Sequence, residues 1–250
     1  MTYLFAPSNL RLLRVFAWSN VLLAFDYDGT LAPIVGAPDR AAMRQSTRRL
    51  LRRVSRLYPC AVISGRARPD ALKRFRGIDI CHVVGNHGAE PLAGGSEMRQ
   101  QVQQWLPVLT NRLASRQGVV IEDKGFSIAI HYRRARARRA ALRAIQAATR
   151  VLTGVRVIGG KLAVNLLVPD APHKGLAVER ERVHFACDTV IYVGDDATDE
   201  DVFELDSHGR LLSIRVGQRK RSSASHYIRD QREIDRLLRT LIAAREDHHV

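Results

Sequence analysis

Apolar runs and segments of helical spacing alternate along most of this 250-residue chain. Each apolar run ends at a polar cluster, which is typical of strands buried on both faces of a parallel sheet. Such strands are predicted at Val21–Phe25, Cys60–Ile63, His82–Gly85, Thr189–Val193 and Arg210–Val216. Helices are predicted at 39–57, at 70–77, from Lys174 through LAVERERV, and at 229–244. This alternation predicts an α/β fold with a Rossmann-like parallel sheet.

Between residues 95 and 168 the pattern changes to a helix followed by two strands, and this unit occurs twice. The predicted elements are a helix at 97–116, strands at Val119–Asp123 and Phe126–Tyr132, a helix at 134–152, and strands at Val155–Ile158 and Lys161–Val168. The strands of each pair are joined at Lys124-Gly125 and at Gly159-Gly160. Antiparallel hairpins that each follow a helix make a small two-layer αββαββ domain. We therefore predict a core domain at 1–94 and 169–250, interrupted by an α/β domain at 95–168.

The composition is that of a globular protein without a membrane span. Hydrophobic residues make up 46% of the chain, and no run approaches the 18 or more apolar residues of a membrane helix. Two arginines interrupt the apolar positions of residues 1–20, which predicts an amphipathic helix and not a secretory signal. Cys60, Cys81 and Cys187 lie in or beside apolar segments without a C-x-x-C pair, which predicts buried, reduced thiols. We expect a cytoplasmic protein.

The formal net charge of +15 would suit a protein that binds a polyanion. The arginines are scattered over predicted helix faces, and no nucleic-acid-binding motif accompanies them. We therefore favour a solvated arginine-rich surface. A protein that holds nucleic acid or another polyanion stays the alternative from a different functional class.

Asp26 and Asp28 follow the first strand directly, and an extended backbone would point both carboxylates the same way. Gly29 then lets the chain turn sharply at the carboxyl end of the strand, where open α/β sheets bind ligands. Two close carboxylates repel each other unless a cation lies between them or one of them holds a proton. The pair alone is equally typical of a solvated turn, but the full string DYDGTL after an apolar strand favours a metal-dependent site.

Other segments add polar groups to the same edge of the predicted sheet. Ser64 and Arg66 follow the second strand, and a hydroxyl with a guanidinium suits phosphate oxygens. Asn86 and His87 follow the third strand between two glycines, which would let the backbone approach a ligand closely. Lys174 opens a helix, where backbone N–H groups already favour an anion.

The segment after the fourth strand, GDDATDED, holds five acidic residues within seven positions. A helix N-terminus would explain one or two of them. Five would repel each other strongly without a cation, and a hard cation prefers such oxygen ligands. The segment therefore predicts a metal site.

Four motifs in this order, DYDGTL, SGR, HKG and GDDATDED, with an inserted domain between the second and third, resemble the haloacid dehalogenase-like (HAD) phosphotransferases. GNHGAE, EDKG followed by HYR, and GDDATDED are similar to motifs of trehalose-6-phosphate phosphatases. The resemblance covers nearly the whole chain and implies a HAD core with an α/β cap. It also implies Mg²⁺-dependent hydrolysis of trehalose 6-phosphate to trehalose and phosphate through an aspartyl-phosphate intermediate.

The resemblance further implies roles for particular residues. Asp26 would be the nucleophile, Asp28 the general acid and base, and Thr30 a contact of the leaving group or the phosphate. Ser64 and Lys174 would hold the transferring phosphoryl group. The residues that bind Mg²⁺ or support its site would be Asp26, Asp28 through its carbonyl, Asp195, Asp196 and Asp199. The residues that face the substrate would be Arg66, Asn86, His87, Lys124, Arg133 and Asn165.

One departure from the family pattern concerns the sugar. The last strand of the cap usually carries a Glu in this family, and the aligned stretch KLAVNLLVP has Asn165 there. Another phosphorylated disaccharide, or a sugar-glycerol phosphate, is therefore the alternative substrate. We expect a monomer whose partner is this small molecule, with no specific nucleic acid and no membrane.

Overall fold

The computed structural model describes residues 1–36, 38–80, 82–90, 95–160, 162–205 and 208–246. The chain divides into two compact units. The core unit comprises Met1–Gly88 and His173–Val250, and the inserted unit comprises Ala89–Pro172. Each unit is built around a sheet of its own.

Strands and helices alternate along the core unit, as the apolar pattern predicts. In chain order, the strands of the described residues are β1 (Thr2–Tyr3), β2 (Val21–Phe25), β3 (Cys60–Ile63), β4 (His82–Val84), β5 (Val120–Asp123), β6 (Ser127–His131), β7 (Arg156–Gly160), β8 (Ala163–Leu167), β9 (Thr189–Gly194), β10 (Leu211–Val216) and β11 (His226–Ile228). The helices are α1 (Pro7–Trp18), α2 (Gln45–Val54), α3 (Arg68–Arg74), α4 (Ser96–Leu113), α5 (Arg138–Thr149), α6 (Lys174–His184), α7 (Glu200–Phe203) and α8 (Ile234–Glu246). The predicted α/β fold class is confirmed.

The sheet of the core unit is parallel throughout, in the order β1-β11-β10-β9-β2-β3-β4. The chain adds strands in one direction from β2 to β4 and in the other direction from β9 to β11, so the order reverses between β2 and β9. The register of β2 and β9 runs from Val21 opposite Thr189 to Phe25 opposite Val193, so the carboxyl ends of these two strands are level. Such a reversal opens a crevice at the carboxyl ends of the two strands.

β2 is a central strand, and all of its residues are buried. Leu23 and Phe25 belong to the hydrophobic cluster that includes side chains of α1, α2 and α8. Leu22 and Ala24 point to the other face of the sheet and pack with the cluster that includes Val178 of α6. Burial on both faces explains the continuous apolar run in the sequence and confirms the strand predicted there.

The inserted unit has an antiparallel sheet in the order β5-β6-β8-β7. α4 and α5 share one hydrophobic cluster with β6 and β8. Its buried members include Trp105 of α4, Ile145 of α5, Ile130 of β6 and Leu166 of β8. Alternate residues of these strands face the cluster, as a strand with one buried face requires. The predicted repeat of one helix and two strands is therefore confirmed.

The structure differs from the predicted elements at several places. β1 and β11 extend the core sheet beyond the predicted last strand, and at two and three residues they are too short to show a period. The turn predicted at Gly159-Gly160 is wrong, because both glycines belong to β7 and Gly160 pairs with Ala163. α2 begins at Gln45 and not at residue 39, because Pro38–Arg40 form a separate 3-10 turn.

Two of the three cysteines can be compared with their prediction. Cys60 and Cys187 are buried, as expected, and Cys81 lies outside the described residues. α1 confirms the helix predicted within residues 1–20. Of the helices in the described ranges, none combines the length and the apolarity that a membrane crossing requires.

Candidate active site

The candidate site lies at the carboxyl ends of β2 and β9, where the strand order reverses. Asp26 follows β2 and Asp195 follows β9, and the Asp26 amide donates to the Val193 carbonyl at 2.9 Å. Gly29 has a φ of +97°, and a Cβ there would lie 2.2 Å from Asp195 Oδ2. Only glycine lets the loop after β2 pass this close to the Asp195 carboxylate.

A buried ammonium group joins two aspartates of the site. Lys174, the first residue of α6, donates from Nζ to Asp26 Oδ1 at 2.8 Å and to Asp199 Oδ1 at 2.7 Å. All three side chains are buried. Although burial alone would lower the pKa of Lys174, the carboxylates of Asp199 and Asp26 raise it well above its usual value. Lys174 is therefore a fixed positive charge inside the site.

Asp199 accepts hydrogen bonds from four donors. Its Oδ1 accepts from Lys174 and, at 2.7 Å, from the hydroxyl of Tyr192. Its Oδ2 accepts from the backbone amides of Asp195 and Asp196 at 2.7 and 2.8 Å. Both oxygens of this carboxylate are engaged by protein groups, so Asp199 fixes the loop that carries Asp195.

Asp26, Asp195 and Asp199 form a compact group of buried carboxylates. Each offers one oxygen, and these oxygens lie within 4.8 Å of one another, a donor set that suits a hard divalent cation. Since both oxygens of Asp199 already accept hydrogen bonds, Asp26 and Asp195 fit direct ligation best. Burial raises the pKa of Asp26 well above its usual value, and the carboxylates of Asp199 and Asp195 add to this rise against the opposing charge of Lys174. A divalent cation beside Asp26 would favour its ionised form.

Asp28 has a different cationic partner. Its Oδ2 accepts from Arg66 Nε at 2.6 Å and its Oδ1 from Arg66 Nη2 at 2.7 Å, while Arg66 Nη1 donates to Asp70 at 2.6 Å. Although burial alone would lower the pKa of Arg66, the hydrogen bonds and charges of Asp28 and Asp70 raise it. The side chains of Asp26 and Asp28 therefore do not share one cation, because Lys174 meets the first and Arg66 the second.

Two buried hydroxyl groups follow β2 and β3. Thr30 is fully buried, and its Oγ1 has no hydrogen-bond partner among the described residues. Ser64 is also buried, and its Oγ accepts a hydrogen bond from the Arg66 amide at 3.2 Å. Since buried hydroxyl groups are normally hydrogen-bonded, the Thr30 oxygen is a candidate contact for a ligand.

The loops after β3 and β4 are joined through their backbones. The Asn86 amide donates to the Arg66 carbonyl at 2.8 Å, and the His87 amide donates to the Ser64 carbonyl at 3.0 Å. Asn86 and His87 both have a positive φ, of +48° and +58°, and both are buried. A Cβ on Gly65 would lie 2.5 Å from His87 Cε1, so the His87 ring needs glycine at this position. The four predicted residues of these loops are thus brought together.

In the described part of the chain, only two of the five acidic residues in GDDATDED join the group around Asp26. Asp196 Oδ1 accepts from the Thr198 amide and hydroxyl at 2.8 and 2.7 Å. Burial would raise the pKa of Asp196, but the charge of Lys174 and the Thr198 hydrogen bonds lower this pKa to about 2. Glu200 Oε1 lies 2.7 Å from Arg215 Nη1. Asp196, Asp199 and Glu200 therefore each have a different partner, and the five acidic residues do not all converge on one cation.

The three predicted sugar contacts Lys124, Arg133 and Asn165 belong to the inserted unit. Lys124 lies in the turn between β5 and β6, and Arg133 follows β6. Asn165 is buried in β8 and pairs with Ala129 of β6. They are therefore on a different unit from the group around Asp26.

Two residues of the site, Tyr192 and Arg215, are missing from the sequence prediction. Both lie in apolar strands, and both are buried with their polar atoms on the acidic loop after β9. The signal for Arg215 is present in the sequence, because a charged residue within the apolar run of β10 requires a buried partner. Tyr192 gives no such signal, since tyrosine is common in buried strands.

Comparison with known proteins shows that a known family matches this chain. A family model described as Trehalose-phosphatase matches residues 24–231. The chain is similar to Trehalose 6-phosphate phosphatase RA3 of Zea mays, with 30% identity over 261 residues that cover 92% of this chain and 72% of the maize protein. It is also similar to Probable trehalose-phosphate phosphatase 4 of Oryza sativa subsp. japonica, with 30% identity over 243 residues that cover 89% of this chain and 66% of the rice protein. The chain thus spans about two thirds of the length of such relatives.

A solved structure shares the architecture. The C-terminal domain of C. albicans trehalose-6-phosphate phosphatase superposes with a TM-score of 0.81 at 23% sequence identity. The match covers 94% of this chain and 97% of the C. albicans chain. This likeness concerns the fold, and it confirms the predicted parallel core with an inserted α/β unit.

Proposed function

Since this chain belongs to the trehalose-phosphatase family, we propose that it hydrolyses trehalose 6-phosphate to trehalose and inorganic phosphate, with Mg²⁺ as its cofactor. The observation that carries the proposal is the buried Asp26–Lys174 pair at the strand reversal, within the segment that matches the family model. A buried carboxylate beside a fixed positive charge is what phosphoryl transfer to a side chain requires.

In the proposed first step, Asp26 attacks phosphorus, the bond between phosphorus and the sugar oxygen breaks, and an aspartyl-phosphate forms. Asp28 gives its proton to the leaving sugar oxygen. In the second step, water attacks the phosphorus and Asp28 takes the proton of that water. Inorganic phosphate leaves, and the Asp26 carboxylate is restored. The covalent intermediate divides one difficult reaction into two easier ones.

Three groups around Asp26 are proposed to hold the phosphoryl oxygens. Lys174 Nζ lies 2.8 Å from Asp26 Oδ1, so its positive charge would lie beside the phosphoryl group that Asp26 attacks. Ser64 would donate its hydroxyl proton to a phosphoryl oxygen, since its Oγ accepts from the Arg66 amide. The buried Thr30 hydroxyl, without a partner in the described residues, supports a contact with the leaving group or the phosphate.

We assign the Mg²⁺ site to Asp26, Asp195 and the Asp28 carbonyl, with Asp196 and Asp199 supporting the loop. When bound, Mg²⁺ would neutralise charge on these carboxylates and on the phosphoryl oxygens. The oxygen-only donor set and the raised pKa of Asp26 support this assignment.

Arg66 is proposed to exchange partners during the reaction. It now holds both oxygens of Asp28, and a phosphate group is an alternative anion for the same guanidinium fork. Drawing Arg66 toward the substrate would leave Asp28 free to carry a proton. Asn86 and His87, joined by backbone hydrogen bonds to the loop of Arg66, are proposed to line the same side of the substrate.

The inserted unit is proposed to act as the cap domain that the sequence predicts at 95–168, and to read the sugar through Lys124, Arg133 and Asn165. The support is the likeness of EDKG and HYR to family motifs and the reasoning that a phosphoryl site by itself holds little to distinguish sugars. We further propose that the protein is cytoplasmic, in keeping with the burial of Cys60 and Cys187, and that it is a monomer.

The proposal predicts the order of rates over a panel of phosphate esters. Trehalose 6-phosphate should have a kcat/KM at least about tenfold above glucose 6-phosphate, sucrose 6-phosphate and glucosylglycerol phosphate. EDTA should remove the activity, Mg²⁺ should restore it, and Zn²⁺ should replace it poorly. Phosphate release is measured for each ester at matched Mg²⁺.

Each contrary outcome has a distinct meaning. Preference for another ester would replace the substrate and leave the mechanism in place. Full activity after exhaustive chelation would remove the cation. No phosphate release from any ester, together with tight nucleic-acid binding at physiological salt, would establish the polyanion-binding alternative.

Asn165→Glu should raise kcat/KM for trehalose 6-phosphate several-fold. A carboxylate makes hydrogen bonds to sugar hydroxyls that are about twice as strong as those of a neutral amide. Asn165 pairs with the small Ala129 of β6 on one side and with Ile158 of β7 on the other, so the side toward β6 leaves more room for the longer side chain. Asn165→Gln is the matched control, because it adds the length without the charge. Equal effects of Glu and Gln would contradict the role of charge at this position.

A further inference from the structure

Arg215 is a buried charged residue in an apolar strand, and the mechanism above gives it no task. It lies near the carboxyl end of β10 with an exposed fraction of 4%. Its Nη1 donates to the Asp196 carbonyl at 3.1 Å and to Glu200 Oε1 at 2.7 Å, and its Nη2 donates to the Asp195 carbonyl. One guanidinium thus binds two carbonyls of the acidic loop and the carboxylate of the first residue of α7.

Together with the hydrogen bonds of Asp199, these bonds hold the backbone of Asp195 and Asp196 in place. The amides of Asp195 and Asp196 donate to Asp199 Oδ2, and their carbonyls accept from Arg215. The backbone N–H and C=O groups of both residues are therefore held by buried side chains. The Asp195 carboxylate at the same time lies directly against Gly29. With its backbone fixed, the Asp195 side chain has little freedom other than its own torsions.

We propose that Arg215 is a positioning residue for the cation site. It holds the backbone of Asp195 and Asp196 so that the Asp195 carboxylate faces Asp26, and it thereby sets the affinity of the site for a divalent cation. The inference deepens the proposed function and rests on it only in the assignment of the cation to this site.

Whether removal of Arg215 weakens or tightens cation binding distinguishes positioning from a simple effect of charge. A positive charge near a cation site weakens cation binding, so if Arg215 acted only through its field, its removal would tighten binding. The Glu200 carboxylate at 2.7 Å also cancels much of that field. Loss of positioning acts in the opposite direction, because outer partners of metal ligands typically contribute 10–100-fold to affinity, so we expect weaker binding.

The test is a calorimetric titration of Mg²⁺ into the metal-free full chain, paired with the Mg²⁺-dependent rise in unfolding temperature. Arg215→Met and Arg215→Lys should both bind Mg²⁺ about 10–100-fold more weakly than wild type. Lysine keeps the charge but lacks the planar fork that reaches two carbonyls and a carboxylate. Arg48→Met is the control, because Arg48 also donates to two backbone carbonyls, those of Arg74 and Arg76, away from the aspartates. It should bind Mg²⁺ as wild type does.

Unchanged or tighter Mg²⁺ binding by folded Arg215→Met would overturn the inference, and so would wild-type affinity in Arg215→Lys. If circular dichroism shows that the methionine variant does not fold, the lysine variant decides alone. A wild type that binds Mg²⁺ without hydrolysing trehalose 6-phosphate would refute the proposed substrate and leave the positioning result standing. A wild type that binds no Mg²⁺ would overturn the inference and the assignment of Mg²⁺ as cofactor, and would leave the proposed substrate to be decided by the ester panel.

Discussion

Replacing Asp26 by asparagine should abolish phosphate release, with kcat at least about a thousandfold below wild type. The amide keeps the shape of the side chain and has no anionic oxygen to attack phosphorus. Lys174 keeps its second bond to Asp199 in the variant, so the site should stay assembled. Phosphate release within about tenfold of wild type would remove Asp26 from the role of nucleophile.

The same substitution should leave the metal-free protein at least as stable as wild type. Because the pKa of Asp26 is raised in the folded state, its ionisation opposes folding, and the stability it contributes falls as pH rises from the usual carboxyl pKa through the raised one. Asparagine carries no charge at any pH, so the variant should unfold at or above the wild-type denaturant concentration at pH 7 in EDTA. Asp79→Asn removes an exposed carboxylate and serves as the control, with no expected change in rate or stability.

The features that the sequence predicts best are those whose cause is local. Val21–Phe25 is apolar at every position because both faces of β2 are buried, and the loop that carries Asp26 and Asp28 follows it directly. Lys174 is similarly visible, because the prolines that precede it end a strand and the next apolar period begins a helix. For such residues the element and its end are sufficient to locate the side chain.

The spacing of residues along the sequence does not predict which side chains pair with each other across the sheet. The alternation of a strand orients Asp26 and Asp28, but it does not say that Lys174 meets the first and Arg66 the second. Those pairs form between residues far apart in the chain, and their choice depends on the strand order. The five acidic residues after β9 show the same limit, because their repulsion and the charge of Arg215 within an apolar strand are visible in the sequence, but the pairing of Arg215 with Glu200 is not.

Replacing Lys174 by methionine should be the most destabilising change in the site. Methionine fills most of the same volume, but Asp26 and Asp199 then lose the ammonium that lies between them. Removing one partner of a buried ion pair typically costs about 3–5 kcal/mol of folding free energy, because the remaining charge is left uncompensated. Turnover should fall at least about a hundredfold as well, since the phosphoryl group loses a fixed charge. Lys73→Met, on the exposed side of α3, is the control.

The loss of stability should depend on pH in a way that identifies its cause. The pKa of Lys174 is raised in the folded state, so its own contribution is constant at every pH below the usual lysine value. The pH dependence must then come from the two carboxylates, which bind a proton more readily once the ammonium is gone. The difference in free energy of unfolding between wild type and Lys174→Met should therefore be largest near pH 8 and shrink toward pH 5. Denaturant unfolding in EDTA across this range measures it, and a difference that is absent, or that grows on acidification, would show that the ammonium does not compensate Asp26 and Asp199.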